Sequence, residues 1–260
     1  MSESVFRRAI VRPPGDNFKD GLTNVDLGVP DCELARSQHE AYCRALEQQG
    51  LTLTRLEVDS KHPDSTFVED TAVLAGRCAI IARPGAITRA GEVKSIEPVI
   101  MKSFSAVRRI ENPGTLDGGD VCEAGEHFFI GVSRRTNEHG AQQLANILQS
   151  FAYTSTLIDI RDVSNILHLK SGLSYVGDNS LVVIDALRNQ EAFRGYSLIH
   201  VSERSAYAAN CLRANDATLV PSGFPDFENQ LRMLGHRTVA LEMSEFQKMD
   251  GGLSCLSLRW

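Results

Sequence analysis

Cys255 is the residue best placed to act as a nucleophile. It lies in Asp250-Gly251-Gly252-Leu253-Ser254-Cys255, and the chain then runs to Trp260 with apolar and polar residues alternating as in a strand. A thiol where a Gly-Gly turn becomes a strand is aimed by that strand, and the glycines let a ligand approach the backbone closely. A lone cysteine in a strand is ordinarily a small, inert buried hydrophobe, so the weight comes from polar residues upstream. Asp64-Ser65-Thr66-Phe67-Val68-Glu69-Asp70 carries three carboxylates in seven residues, Gly114-Thr115-Leu116-Asp117-Gly118-Gly119-Asp120 adds more acid, and Leu167-His168-Leu169-Lys170-Ser171 supplies an imidazole.

Acid, imidazole and thiol together point to attack on an amidine carbon. A free thiol, with a pKa of about 8.5, is mostly protonated at neutral pH unless a cation stands beside it. Protonated His168 or a cationic substrate would supply that charge. Several carboxylates repel anions and suit a guanidinium, whose planar fork of donors matches carboxylate oxygens. His168 would then protonate the departing amine and, as a base, activate the water that clears a thiouronium intermediate. Arg89 and Arg135 are either solvated surface charges or, in so acidic a pocket, a clamp for a substrate carboxylate.

The elements that must position these residues recur along the chain. Strand, tight turn and strand are read near residues 71, 120, 172 and 210, the first three hairpins each preceded by one of the polar motifs. The Cys255 segment begins a fifth unit that lacks one strand, and Phe6 to Val11 can complete it and close a ring without an exposed edge. Between hairpins there is room for a helix and one further strand. Helices are predicted from an Asp31 cap to about Gln49, over Thr88 to Phe104 with Pro98 ending or kinking it, over Asn137 to Phe151, and over Asp226 to Leu234. A ring of such units brings its matching ends together on the axis.

Composition narrows the function. The 260 residues are 42% hydrophobic and 23% charged, an ordinary soluble balance, and the net charge of -6 argues against phosphate-neutralising nucleic-acid binding. Six scattered cysteines form no CxxC pair and no zinc-ligand spacing, so they read as free thiols. With no signal-like or membrane-spanning apolar run, a cytoplasmic location and no membrane partner are expected. No nucleotide-binding glycine motif is present.

The four motifs, Phe67-Val68-Glu69-Asp70, Thr115 to Asp120, Leu167 to Ser171 and Asp250 to Cys255, together resemble the dimethylarginine dimethylaminohydrolases of the amidinotransferase and arginine deiminase superfamily. The resemblance runs in order along essentially the whole chain. It implies an α/β fold, a five-bladed propeller of ββαβ-type units around a central substrate channel, formed as one catalytic domain over residues 1–260. It implies hydrolysis of methylated arginine to citrulline and a methylamine. By the same resemblance Cys255 is the nucleophile, His168 the general acid and base, and Asp117 the residue that orients His168. Asp117 stands where other members of the superfamily carry Glu. Glu69 and Asp70 would hold the guanidinium, while Asp64 and the backbone carbonyls of Leu22 and Met249 contact the amino-acid end. Arg89 and Arg135 would take the carboxylate, and Asp20 to Thr23 would belong to a covering flap. No cofactor is implied, and zinc enters only as an inhibitor at Cys255. The expected partner is a small guanidino amino acid, and the chain is expected to be a monomer or homodimer. Two other readings stand beside this one: a deiminase of arginine or another guanidine, and a non-catalytic guanidine-binding propeller.

Overall fold

The computed structural model describes residues 5–260. The first strand, β1 (Arg8–Val11), is followed by an irregular stretch and by α1 (Cys32–Gln48), which Asp31 caps by accepting from the amides of Glu33 and Leu34 at 2.8 and 3.0 Å. Ala35, His39, Tyr42, Cys43 and Leu46 form its buried face at helical spacing. Then come β2 (Thr52–Arg55), the hairpin β3 (Ala72–Ala75) and β4 (Cys78–Ile81), α2 (Val93–Ser103) and β5 (Val107–Arg109). The pattern repeats with β6 (Val121–Ala124), β7 (His127–Val132), α3 (Glu138–Ser150) and β8 (Thr154–Asp159). It continues through β9 (Leu173–Gly177), β10 (Ser180–Ile184) and β11 (Ser197–Val201), then β12 (Leu212–Ala214), β13 (Ala217–Pro221), α4 (Pro225–Met233) and β14 (Thr238–Leu241). A one-turn helix, α5 (Ser244–Gln247), and β15 (Leu258–Arg259) complete the chain.

Among the described residues these strands form five three-stranded sheets. In four of them the first strand pairs antiparallel with the second, and the second parallel with the third. The fifth has the same pattern across the chain ends: β15 is antiparallel to β1, with Ala9 opposite Arg259, and β1 is parallel to β2. The N-terminal strand thus supplies the partner that the last unit lacks. The first strands β3, β6, β9, β12 and β15 all line one axial cavity, so the sheets are the five blades of an α/β propeller around a channel.

Two expectations are corrected. The residues after Gly252 are not a continuous strand: Ser254–Leu256 is a turn of 3-10 helix, closed by the Cys255 amide on the Gly252 carbonyl at 3.2 Å. All residues from Gly251 to Leu258 are buried, so their alternation separates no inner face from an outer one. The helix before β5 starts only at Val93, after a separate 3-10 turn at Ile87–Arg89, and runs through Pro98 to Ser103.

The site is positioned by a repeated device. In four blades the inner strand closely follows a short 3-10 turn: Val68–Thr71, Gly118–Asp120, Leu169–Ser171 and Glu203–Ala209. Ser254–Leu256 is the fifth such turn. Polar side chains at matching places clasp one turn to the next. Asp70 accepts from the Gly119 amide at 2.9 Å, Asp120 from the Leu169 amide at 2.9 Å, and Asn210 from the Ser254 amide at 2.9 Å. Buried donors that would otherwise be orphaned are satisfied between blades, and the five turns converge at one end of the channel.

Candidate active site

Cys255 lies on the last of these turns and is 9% exposed. Its sulfur accepts from the Gly252 amide at 3.4 Å and from the Asn210 amide nitrogen at 3.9 Å. Gly251 and Gly252 are glycines for packing reasons: a Cβ on Gly251 would meet the Phe67 ring at 2.2 Å, and one on Gly252 the Asn210 side chain at 2.4 Å. Burial pushes the thiol up to about 12, with the negative charges of Glu69 and Asp70 adding to it, against weaker help from the Gly252 N–H and Lys170. The resting group is a thiol, and only an added positive charge makes it a nucleophile at neutral pH.

His168 stands on the third turn. Its Nε2 is 3.0 Å from Asp117 and 4.0 Å from Asp70. Burial opposes its protonation, yet Asp70, Asp120 and Asp117 outweigh burial and raise it to about 9, so the ring is an imidazolium at neutral pH. Gly119 lets the ring in, since a Cβ there would lie 2.8 Å from both the His168 Nδ1 and the Asp70 carboxylate. Asp117 is fully buried and is fixed from its other oxygen by the Gly85 amide at 2.8 Å, with Arg135 Nη1 3.8 Å from its Oδ2.

Glu69 and Asp70 sit together on the first turn, both buried. Glu69 accepts from the Ser254 hydroxyl at 2.9 Å and pairs with Lys170, which ties the turns of His168 and Cys255 to that of Glu69. Asp64, Leu22 and Met249 also meet. Asp64 accepts from the Leu22 amide at 3.0 Å, and a Cβ on Gly21 would strike the Asp64 carboxylate at 2.6 Å and the Met249 methyl at 3.1 Å. Burial raises the Asp64 carboxyl, with Arg89, the Leu22 amide and Arg135 drawing it back. The segment beyond Leu22 is fastened at Thr23, whose hydroxyl donates to the Lys248 carbonyl at 3.0 Å, and at Asn24, whose amide donates to Asp250 at 2.6 Å.

Arg89 is placed differently from the expectation of a guanidinium open to a substrate carboxylate. It is 4% exposed, and all three of its nitrogens donate to protein acceptors: Nε to Glu92 at 3.0 Å, Nη1 to Asp70, and Nη2 to Glu92 at 2.8 Å and to the carbonyls of Phe67 and Asp64 at 3.1 and 3.2 Å. It holds the acidic turn in shape. Arg135, 15% exposed at its side chain, is the less committed of the two.

Several members of the site carried no readable sequence signal of their role. Asp120 is buried and pushed up to about 6 by burial, while its clasp to the Leu169 amide and the 2.6 Å bond from Ser133 to its Oδ2 hold the His168 turn. Glu92, Lys170, Ser254 and Asn210 act through Arg89, Glu69 or the thiol, and only their position at matching blade ends could have singled them out. Asp70, Asp117 and His168 also bring potential metal-ligand atoms within 4.8 Å of one another. Arg89 is already paired to Asp70 and Arg135 flanks Asp117, so the charge a divalent ion would supply is largely present, and Cys255 is not in the cluster.

The carboxylates Asp64, Glu69, Asp70, Glu92, Asp117 and Asp120 outnumber the cations Arg89, Arg135 and Lys170 even with His168 protonated, an excess that suits a cationic substrate against the thiol. The comparisons with known proteins agree with that chemistry. The family model for arginine deiminase matches residues 61–217. The chain is 40% identical over 257 residues to the N(G),N(G)-dimethylarginine dimethylaminohydrolase of Pseudomonas aeruginosa, covering 98% of this chain and 100% of that protein, and 32% identical to the one from Streptomyces coelicolor, covering 97% and 96%. A crystal structure of the Pseudomonas aeruginosa enzyme, a cysteine-to-serine mutant complexed with citrulline, superposes with a TM-score of 0.96 at 39% identity over 99% of this chain and 100% of that one. A dimethylarginine dimethylaminohydrolase adduct with S-methyl-L-thiocitrulline gives 0.95 over 98% and 100%. No helix of the described residues is long and apolar enough to cross a membrane. By the family match over residues 61–217, the identity along nearly the whole chain and the superposition of its five-bladed fold, this chain belongs to the arginine deiminase family, in the dimethylarginine dimethylaminohydrolase group.

Proposed function

We propose that this protein hydrolyses N-ω-methylated arginine to citrulline and the corresponding methylamine through a covalent intermediate on Cys255. The observation that carries the proposal is the placement of a thiol held near 12 beside Glu69 and Asp70, with an imidazolium near 9 on Asp117. The guanidinium of the substrate is drawn by the two carboxylates and is itself the cation that ionises the thiol, whose proton passes to solvent because His168 is already protonated. Cys255 Sγ forms a bond to the guanidine carbon. His168, protonated and oriented by Asp117, gives its proton to the leaving methylamine nitrogen as the C–N bond breaks. The neutral imidazole then takes a proton from water, whose oxygen attacks the S-alkylthiouronium carbon, and the thiol leaves to regenerate the enzyme.

In this reading the carbonyls of Leu22 and Met249, together with Asp64, receive the amino-acid end, and Arg135 receives its carboxylate. Arg89 serves that end through the Asp64 backbone and Asp70. The residues fastened at Thr23 and Asn24 form a flap over the bound substrate. No cofactor takes part, and zinc acts as an inhibitor when it captures the Cys255 thiolate. The test is citrulline release from dimethylarginine, monomethylarginine and arginine in the presence of chelator, with Cys255→Ser as control. Turnover of the methylated substrates that vanishes in the variant supports the reading. Faster turnover of arginine would assign the chain to deimination, and no citrulline from any of the three would sink the hydrolase reading.

A further inference from the structure

The axial cavity, of about 140 Å³, is lined by the Glu69–Lys170 pair, Gly118 and Ser254 but not by Cys255, and so opens toward the end of the channel away from the thiol. Each inner strand lines it, among them through Leu74 from β3, Glu123 from β6, Tyr175 from β9, Arg213 from β12 and Arg259 from β15. In a chain of net charge -6 this spot gathers three cations, Lys170, Arg213 and Arg259. Of its two carboxylates, Glu69 is taken up by Lys170 and the Ser254 hydroxyl. Burial pushes Glu123 up to about 7, despite the nearby charges of Arg259 and Lys170, so at neutral pH it cancels at most part of the positive charge. The Arg259 guanidinium stacks over Phe6 at 5.2 Å and donates through Nη1 to the Arg213 carbonyl at 3.0 Å, while its buried Nε has no hydrogen-bond partner. A buried cationic donor left unsatisfied at a cavity wall calls for an acceptor there.

We propose that this far end of the channel binds a small oxyanion, a carboxylate or a phosphate, held by the Arg259 guanidinium through its unsatisfied Nε. The site lies across the Glu69–Lys170 pair from the nucleophile, and Glu69 is also the acceptor for Ser254, the neighbour of Cys255. A bound anion therefore adds negative potential at a thiol that must ionise, and occupancy lowers turnover without competing for substrate.

Calorimetric titration of the full-length Cys255→Ser protein with inorganic phosphate, and separately with acetate, at constant ionic strength tests the binding without turnover. One saturable site for either anion is expected, weakened about tenfold or more by Arg259→Gln. Arg135→Gln should leave the affinity unchanged, which separates this site from the substrate pocket. Because Arg259 also braces the Arg213 carbonyl, Glu123→Gln provides the complementary variant: removing the opposing charge should tighten binding several-fold, a gain that misfolding cannot imitate. Absence of a saturable site for both anions, loss of binding in Arg135→Gln, or indifference to both Arg259→Gln and Glu123→Gln would overturn the proposal. The kinetic arm rests on the methylarginine reading. There the bound anion should lower kcat with KM unchanged, and a competitive pattern would place the anion in the substrate pocket and reject the site.

Discussion

The thiol of Cys255 should ionise only when a guanidinium is bound beside it, and the size of the effect can be worked from its surroundings. Burial, Glu69 and Asp70 together hold the free group near 12. At pH 7.5 that leaves roughly one thiolate in thirty thousand molecules, too few for useful turnover. A guanidinium about 4 Å from the sulfur, at an effective dielectric constant of about 20, contributes about 4 kcal/mol, which at about 1.4 kcal/mol per pH unit brings the midpoint to roughly 9 and the thiolate to a few per cent. The assay is the ultraviolet absorbance of thiolate followed against pH, taken as the difference between the wild-type protein and Cys255→Ser so that the other five cysteines cancel. The titration is run with and without saturating methylguanidinium. Without the cation the difference signal should stay below about a tenth of its full value through pH 11, and with it a midpoint roughly three units lower should appear. A free midpoint at or below about 9, or one that the cation fails to move, would refute the assignment of the carboxylates and burial as the groups that keep the thiol protonated.

Three further outcomes follow from the same geometry. His168 is raised from 6.5 to about 9 in the folded protein, so its contribution to stability is fully present below about pH 6.5 and is lost as the pH rises through about 9. The ceiling is on the order of 3 kcal/mol, and it is read as a gap in urea midpoint between wild type and His168→Gln that is wide at about pH 6 and narrow at about pH 9.5. Asp117→Asn keeps the shape of the side chain but removes the carboxylate bonded to His168 Nε2 and one of the three charges that favour the imidazolium, so kcat should fall about a hundredfold or more with KM nearly unchanged in steady-state assays. Asp250 stands at a left-handed φ of 56° and accepts from the Asn24 amide, which fastens the segment beyond Leu22 to the turn that leads to Cys255. Asp250→Ala should raise KM about five- to tenfold and speed amide exchange at residues 22–25, whereas Asp250→Asn, which tolerates that φ and still accepts a bond, should restore most of the affinity.

The strand hairpins near residues 71, 120, 172 and 210 were legible because each is a buried, β-branched or apolar run broken by a tight turn, and local pattern suffices for that. The pairing of β1 with β15 was legible for a different reason: a closed ring leaves the last unit one strand short, and the N-terminal run is available to fill it. The Cys255 segment misled because its alternation lies in a stretch buried on every side, where period two no longer distinguishes strand from 3-10 turn. The protein partners of Arg89 were not legible because a charge's partners are set by distance in space. Glu92 is three residues away, but the Asp70 oxygen and the carbonyls of Asp64 and Phe67 reach it only once the acidic turn folds back over it.

The sequence by itself determined the chemistry available: one thiol after a Gly-Gly turn, one imidazole between leucines, and acidic motifs ahead of matching hairpins, in an order that already marked the family. It determined the ring as well, since five like units can bury their inner strands only against one another. Tertiary structure alone decided the protonation states. A thiol near 12 and an imidazolium near 9 come from burial and from carboxylates contributed by other blades, 51 residues away in the case of Asp117 and His168. It also decided which charges are free to meet a ligand, committing Arg89 to the scaffold and leaving the Arg259 Nε unsatisfied at the far end of the channel. Electrostatic energies depend on distance and on exclusion of water, and neither quantity exists until the chain has closed its ring.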